Sequence, residues 1–171
     1  MASDPRISKL SRDFDRKPFE CGVMSLTTFL REHALRQMEQ KFSTTYVLHS
    51  RGETEIRGYY TISMSLIELH DMPEESRRKL PRHPVPAVRI GRLAVAVSYQ
   101  RKHYGSYLLV DAFRRITRLS ADIGVHAVEV DAIDENARRF YEKYGFCSLE
   151  DDVDHLYLPL ATAKSVFEGL I

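Results

Sequence analysis

Residues 100–106, Gln-Arg-Lys-His-Tyr-Gly-Ser, stand between an apolar run, RLAVAV, and an apolar-periodic segment containing YLLVDAFRR. A strand that turns straight into a helix leaves the first backbone N–H groups of the helix without partners, at the positive end of its dipole. An anion is the natural occupant of such a turn. Gly105 lets the backbone approach a pyrophosphate closely, Ser106 adds a hydroxyl donor, and Arg101 and Lys102 add charge. A tight phosphate cradle usually carries two glycines, and His103 stands where the other would be. Histidine tolerates left-handed backbone better than most residues, so the spacing predicts a turn that still binds, with the imidazole outward or toward a phosphate.

The second chemical candidate is the phenol of Tyr141, in DENARRFYEKYGF (134–146). A phenol can donate to a developing anion, although an aromatic beside Phe140 is equally a core residue. Seven scattered histidines and two cysteines, Cys21 and Cys147, show no metal-ligand spacing, so no metal is expected and both thiols read as reduced. Without a secretory signal or an apolar run near the ~18 residues of a membrane span, the chain reads as cytoplasmic.

Net charge is +1, but unevenly spread. Ser76 to Val110 contains no acid and includes Arg77, Arg78, Arg82, Arg89 and Arg92, whereas acids outnumber bases from Asp131 to Asp154. Such asymmetry suggests a face that attracts anions, against the plainer reading of surface charge balanced in space.

These groups need elements to hold them. Leu26, Phe29, Leu30, Ala34 and Met38 mark one face of a helix over 22–40. Strands are expected at 44–50 and 55–69 around the RGETE turn, then a proline-rich crossing loop at 70–88 with a short helix. A strand at 88–97, a helix at 105–122, the strand VHAVEVDA, a helix ended by Gly145, and HLYLPLA closing the sheet complete the order. The result is one α/β domain over residues 1–171, with a mixed central β-sheet flanked by helices.

With these motifs in hand, the chain resembles the GNAT acetyltransferases. Residues 100–105 are similar to the family's cofactor motif, written Arg or Gln, two residues, Gly, one residue, Gly or Ala, with His103 replacing the first glycine. The resemblance implies acetyl-CoA as cofactor, a splayed pair of central strands, and cofactor contacts from Leu93, Ala94, Val95, Arg101, Lys102, His103, Tyr104, Gly105 and Ser106. DENARRFYEKYGF is similar to the second family motif and adds Asp134, Ala137 and Phe140, with Tyr141 catalytic. From about Lys17 to Ala163 the chain is most similar to GNAT toxins of bacterial type II toxin–antitoxin pairs, through FECG, SLTTFL, RGYYTIS, LPRHPVPAV, GRLAV, FYEKYGF and LYLPLATA. That branch commonly has an aspartate after GRLAV, where this chain has Ala96.

The branch implies acetylation of the α-amine of aminoacyl-tRNA, a block on translation, a ribbon-helix-helix antitoxin and, in many members, a homodimer. Arg77, Arg78, Arg82, Arg89 and Arg92 are then candidate RNA contacts. An α-amine of pKa ~7.7–8.0 is partly neutral at pH 7 and hardly needs a general base, unlike a lysine amine near ~10.4. A backbone N–H from 93–97 is expected to stabilise the carbonyl oxygen. Acetylation of a small amine or a protein N-terminus, and a catalytically weak GNAT fold used for binding, remain as alternatives.

Overall fold

The β-branched and aromatic residues of 44–50 and 58–67 form strands in the computed structural model, which describes residues 4–168. The strands are β1 (Pro5–Lys9), β2 (Thr44–Ser50), β3 (Gly58–Ile67), β4 (Val85–Val95), β5 (Ala127–Asp131), β6 (Cys147–Ser148) and β7 (His155–Pro159). They make one seven-stranded mixed sheet in the order β1-β2-β3-β4-β5-β7-β6. Parallel pairing of β4 with β5 requires a crossover, which α4 (Tyr104–Leu119) supplies. The two strands pair from Ala87↔Ala127 to Ile90↔Val130, while β4 continues to Val95.

The chain divides into two compact units. The first contains the described residues up to Ser63 together with Gly91–Ala112. Here the expected single helix over 22–40 is three pieces: α1 (Met24–Thr28), a π turn (Phe29–His33) and α2 (Ala34–Glu39). Leu26, Phe29, Leu30 and Ala34 still face inward, against Leu10, Phe19, Val47 and Tyr59. Tyr59, fully buried, donates its hydroxyl to the Leu26 carbonyl at 2.6 Å, and Phe19 and Phe29 pack on its ring. The buried ring of Tyr60 lies on Tyr46, and its hydroxyl donates to Asp111 of α4 at 2.6 Å.

Gly58 is required where α4 and β4 approach β3. A Cβ there would lie 2.9 Å from the Ala94 carbonyl oxygen and 3.0 Å from Leu108 Cδ1. Backbone cannot yield as a side-chain end can, so Gly58→Ala is expected to cost about 1–3 kcal/mol, read as a lower urea midpoint.

The second unit contains Met64–Ile90 and the described residues from Phe113. Its helices include α3 (Glu74–Arg77), α5 (Glu135–Lys143) and α6 (Leu160–Phe167). Ile67, Met72, Val85, Ala87, Ala127, Leu149 and Tyr157 form one core cluster. Phe167 anchors α6 by stacking on Phe113 at 4.1 Å.

Three differences from the sequence reading stand out. Strand β4 starts at Val85 rather than at 88, because Pro86 lies exposed and needs only its carbonyl, which accepts from His126 N–H at 2.9 Å. The segment HLYLP does not close the sheet: β7 pairs with β5 on one side and with β6 on the other. Elements β1, β6 and α6 were not expected. Among the described residues no helix is long and apolar enough to cross a membrane.

Candidate functional site

In the first unit the turn 100–103 leads into α4 through two left-handed residues, Arg101 (φ 61°) and His103 (φ 63°). His103 therefore adopts the backbone conformation that a glycine at this position would supply, as the sequence suggested. The first intrahelical bond runs from Tyr107 N–H to the His103 carbonyl at 3.1 Å, so the Tyr104 and Gly105 N–H groups open the helix ahead of it. A left-handed residue followed by helical ones aims successive N–H groups to one side, which makes a concavity for an anion. Arg101, Lys102 and His103 are exposed around it, and no acid lies in the first turn of α4.

The turn is held by residues the sequence reading did not single out. The Gln100 side-chain amide donates to the carbonyls of Cys21 and Val95, both at 3.0 Å. Tyr99 donates to Glu55 at 2.8 Å, carries the Arg57 guanidinium 4.7 Å over its ring, and meets the Tyr104 ring edge-on. Arg57 is itself paired with Glu53 at 2.8 Å. Gln100 opens the sequence motif and was the available signal; the register of RGETE against the turn was not.

Leu93, Ala94 and Val95 lie on the last part of β4. The amides of the next two residues are taken: Ala96 N–H donates to the Arg57 carbonyl and Val97 N–H to the Glu20 carbonyl, both at 2.8 Å. An oxyanion donor from this segment is thus confined to 93–95, narrower than expected.

In the second unit the Asp134 carboxylate caps α5, accepting from Ala137 N–H at 2.8 Å. Helix α5 ends where Gly145 turns left-handed (φ 95°), which returns Phe146 to the Tyr141 ring at 5.5 Å. Phe140 packs edge-on against Tyr141 and Tyr144. The Tyr141 ring is thereby fixed and only 6% exposed, and its hydroxyl has no hydrogen-bond partner among the described residues. Burial pushes the phenol well above its ordinary pKa, and the Asp131 charge adds to the rise. Tyr141 stays protonated through the neutral range and has one free donor.

A charge network centred on the buried Glu129 joins β4, β5 and β7. The Glu129 side chain is 1% exposed and accepts from Arg89 Nε at 3.2 Å and faces His155 Nε2 at 2.6 Å. His155 Nδ1 lies 3.0 Å from Asp151, and Arg89 reaches Asp131 at 3.3 Å. Burial alone would raise the Glu129 pKa, but Ser65, His155 and Arg89 together hold it below the ordinary value. Burial would likewise lower His155, and its hydrogen bonds to Asp151 and Glu129 outweigh that and raise it.

The basic stretch is partly neutralised by acids from outside it. Arg78 pairs with Glu74 at 2.6 Å, and Arg89 with Glu129 and Asp131. Arg89 is therefore committed within the fold. Arg77, Arg82, Arg92, Arg101 and Lys102 have no acidic partner among the described residues. Arg92, alone of the five RNA candidates, belongs to the first unit.

Residues 42–148 match the family described as acetyltransferase (GNAT) domain. The chain is 33% identical over 164 residues to a tRNA-acetylating toxin of Mycobacterium tuberculosis, with 96% of each chain covered. Among solved structures it is similar to AtaT complexed with acetyl-methionyl-tRNAfMet, with TM-score 0.89, 31% identity and coverage of 96% of this chain and 99% of that one. It is also similar to a tyrosine-to-phenylalanine mutant of the AtaT toxin bound to the C-terminus of the antitoxin AtaR and acetyl-CoA, with TM-score 0.81, 28% identity and coverage of 96% and 99%.

Proposed function

Because the chain belongs to the GNAT acetyltransferase family, we propose that it transfers the acetyl group of acetyl-CoA to the α-amine of aminoacyl-tRNA and so blocks translation. The observation that carries the catalytic part is Tyr141: a rigid, buried phenol that is protonated and has an unused donor. The acceptor is proposed by analogy with the M. tuberculosis toxin and with AtaT, whose tRNA complex has been solved.

The residues fit a coenzyme A pyrophosphate at the turn. The left-handed Arg101 and His103, the acid-free first turn of α4 and the exposed Arg101 and Lys102 suit an anion at this turn. Leu93, Ala94 and Val95 would lie along the pantetheine as an extended edge, with Ser106 adding a hydroxyl. Asp134 serves by capping α5, and Ala137 keeps that helix surface small. When bound, the cofactor supplies an acyl thioester open to attack by an amine.

Tyr141 would donate a hydrogen bond to the thioester sulfur as it becomes negative. An unperturbed phenol (~10) already exceeds a thiol (~8.5) by about 1.5 units, roughly 2 kcal/mol against full proton transfer. The raised pKa of Tyr141 widens that gap, so the phenol stabilises charge and the proton settles later.

Labelled acetyl transfer from acetyl-CoA to bulk charged tRNA, with deacylated tRNA as the blank, tests the whole reading. Counts in the charged sample alone support it, and no counts in either overturn the acceptor assignment. A second reading, acetylation of a small amine or a protein N-terminus, is favoured by the pairing of Arg89 with Glu129 and Asp131, which takes up one candidate phosphate contact. A ribbon-helix-helix antitoxin, self-association and a cytoplasmic location complete the proposal, testable by co-purification and light scattering.

The turn makes its own prediction. A β-branched residue is far less tolerant of positive φ than histidine or glycine. His103→Gly is expected to bind acetyl-CoA at least as tightly as the parent, whereas His103→Val is expected to bind about tenfold more weakly, by calorimetry. Equal affinity in both variants would remove the turn from the binding site.

A further inference from the structure

In the second unit, Arg138 of α5 stands one helical turn before Tyr141, and its side chain is 26% exposed. Its guanidinium meets three carboxylates: Asp154 at 3.2 Å, Glu142 at 3.6 Å and Glu135 at 3.9 Å. Glu135 and Glu142 belong to α5 itself, whereas Asp154 ends the loop 149–154 between β6 and β7. The neighbouring Arg139 pairs within the helix, with Glu135 at 2.7 Å. Asp154 also holds the approach to α5, because its carbonyl accepts from Ala132 N–H at 2.7 Å. One loop residue thus grips this helix twice, just ahead of its cap and in its first half.

The loop is itself fastened. Leu149 N–H donates to the His155 carbonyl at 2.7 Å, Ser148 Oγ to the Val153 carbonyl at 2.7 Å, and Asp154 N–H to the Asp152 carboxylate at 2.9 Å. Glu150 N–H reaches the Asp71 carbonyl at 2.8 Å, and Asp151 lies 3.0 Å from His155, whose other nitrogen faces the buried Glu129. Stacking of Tyr144 on Phe167 holds the C-terminal end of α5, and Arg138 holds the other half. Ion pairs this exposed add little to global stability. Their geometry still bears on chemistry, since moving a reacting group by about 1 Å can cost 10²-fold in rate. Without Arg138, three carboxylates would face one another, and their repulsion would push α5 off the loop.

We propose that Arg138, held by Asp154, is a positioning residue for acetyl transfer: it fixes the roll of α5 and so the aim of the Tyr141 hydroxyl. The proposal rests on the assignment of Tyr141 as donor to the leaving sulfur and adds what keeps that donor in place.

The test is single-turnover acetyl transfer to charged tRNA at saturating acetyl-CoA, with the urea midpoint and acetyl-CoA affinity of each protein measured alongside. Arg138→Met is expected to lose about tenfold or more in rate, with affinity within about a factor of two and a midpoint close to the parent's. Arg138→Lys restores the charge without the planar fork and should recover part of the rate. Asp154→Asn should show a smaller loss, and Arg139→Met should match the parent. On a Tyr141→Phe background, Arg138→Met should cost little, because the group it aims is gone; a merely structural role would cut the residual rate by the same factor as in the parent. Parent-like rates in both Arg138→Met and Asp154→Asn, an equal loss in Arg139→Met, or an undiminished loss on the Tyr141→Phe background would each overturn the proposal. If Arg138→Met does not fold, Asp154→Asn, alone and on that background, decides. If Tyr141→Phe lowers the rate and the Arg138 and Asp154 variants do not, only the positioning role falls. If Tyr141→Phe itself leaves the rate unchanged, the donor assignment falls and takes the positioning role with it.

Discussion

Tyr141→Phe is expected to lower the rate of acetyl transfer by about 10²–10⁴-fold while leaving acetyl-CoA affinity within a factor of two. The change deletes one oxygen whose hydroxyl no described residue uses, so the fold loses no hydrogen bond. The ring is retained against Phe140 and Phe146. Single-turnover transfer at saturating acetyl-CoA isolates the chemical step, and calorimetry gives the affinity. A variant with an unchanged single-turnover rate would assign Tyr141 to the core and leave thiolate departure to another donor. The pH profile is a second check. Burial and Asp131 raise the phenol pKa, so its deprotonation should not cut the rate below about pH 10. A falling alkaline limb near neutrality would contradict the burial described above.

Glu129→Gln is expected to cost about 3 kcal/mol of stability, because a carboxylate 1% exposed is replaced while Arg89 and His155 remain facing the site. Denaturant unfolding near pH 6.5 measures this, and a loss below about 1 kcal/mol would mean that the network contributes little. The pH dependence follows from the directions of the shifts. His155 has a raised folded pKa, so its contribution is fully present below the ordinary ~6.5 and fades as pH rises through the raised value. Glu129 and Asp151 have lowered pKa values, so their contributions are present above the ordinary ~4–4.5 and fade as pH falls through the lowered values. Stability should therefore be greatest between these limits and decline on the alkaline side. In Glu129→Gln the His155 titration, followed by NMR, should move down, because one of its two carboxylates is gone.

Much of this was legible in the sequence for identifiable reasons. Strand β2 matches the expected 44–50, because alternation and β-branching act locally. Helix α5 and its Gly145 stop were readable because capping chemistry is local too. The conformation of His103 followed from residue type and position. What was not legible depends on pairing across the chain. Nothing in β6, two residues long, distinguishes it from a loop until β7 lies beside it. Strand β1 exists through its register with β2, from Pro5↔Ser50 to Lys9↔Tyr46, and α6 through Phe167 on Phe113. Pairing across the sheet also bears on the acid-free stretch, since Glu129 and Asp131 lie about forty residues from Arg89 in sequence and beside it in the sheet. Arg57 and Tyr99 brace the turn from separate loops, an arrangement with no periodicity to detect.

The ends of the sheet bear on how the protein behaves in concentrated solution. One edge strand, β6, offers only two residues of free backbone, too few to template a neighbouring chain. The other edge, β1, begins with a proline, which lacks an N–H, and carries Lys9, whose charge repels a second copy laid alongside. Stacking of chains edge to edge into extended sheets is opposed at both ends. Shared backbone ladders are thus a poor route to self-association, which would draw on side-chain contacts instead.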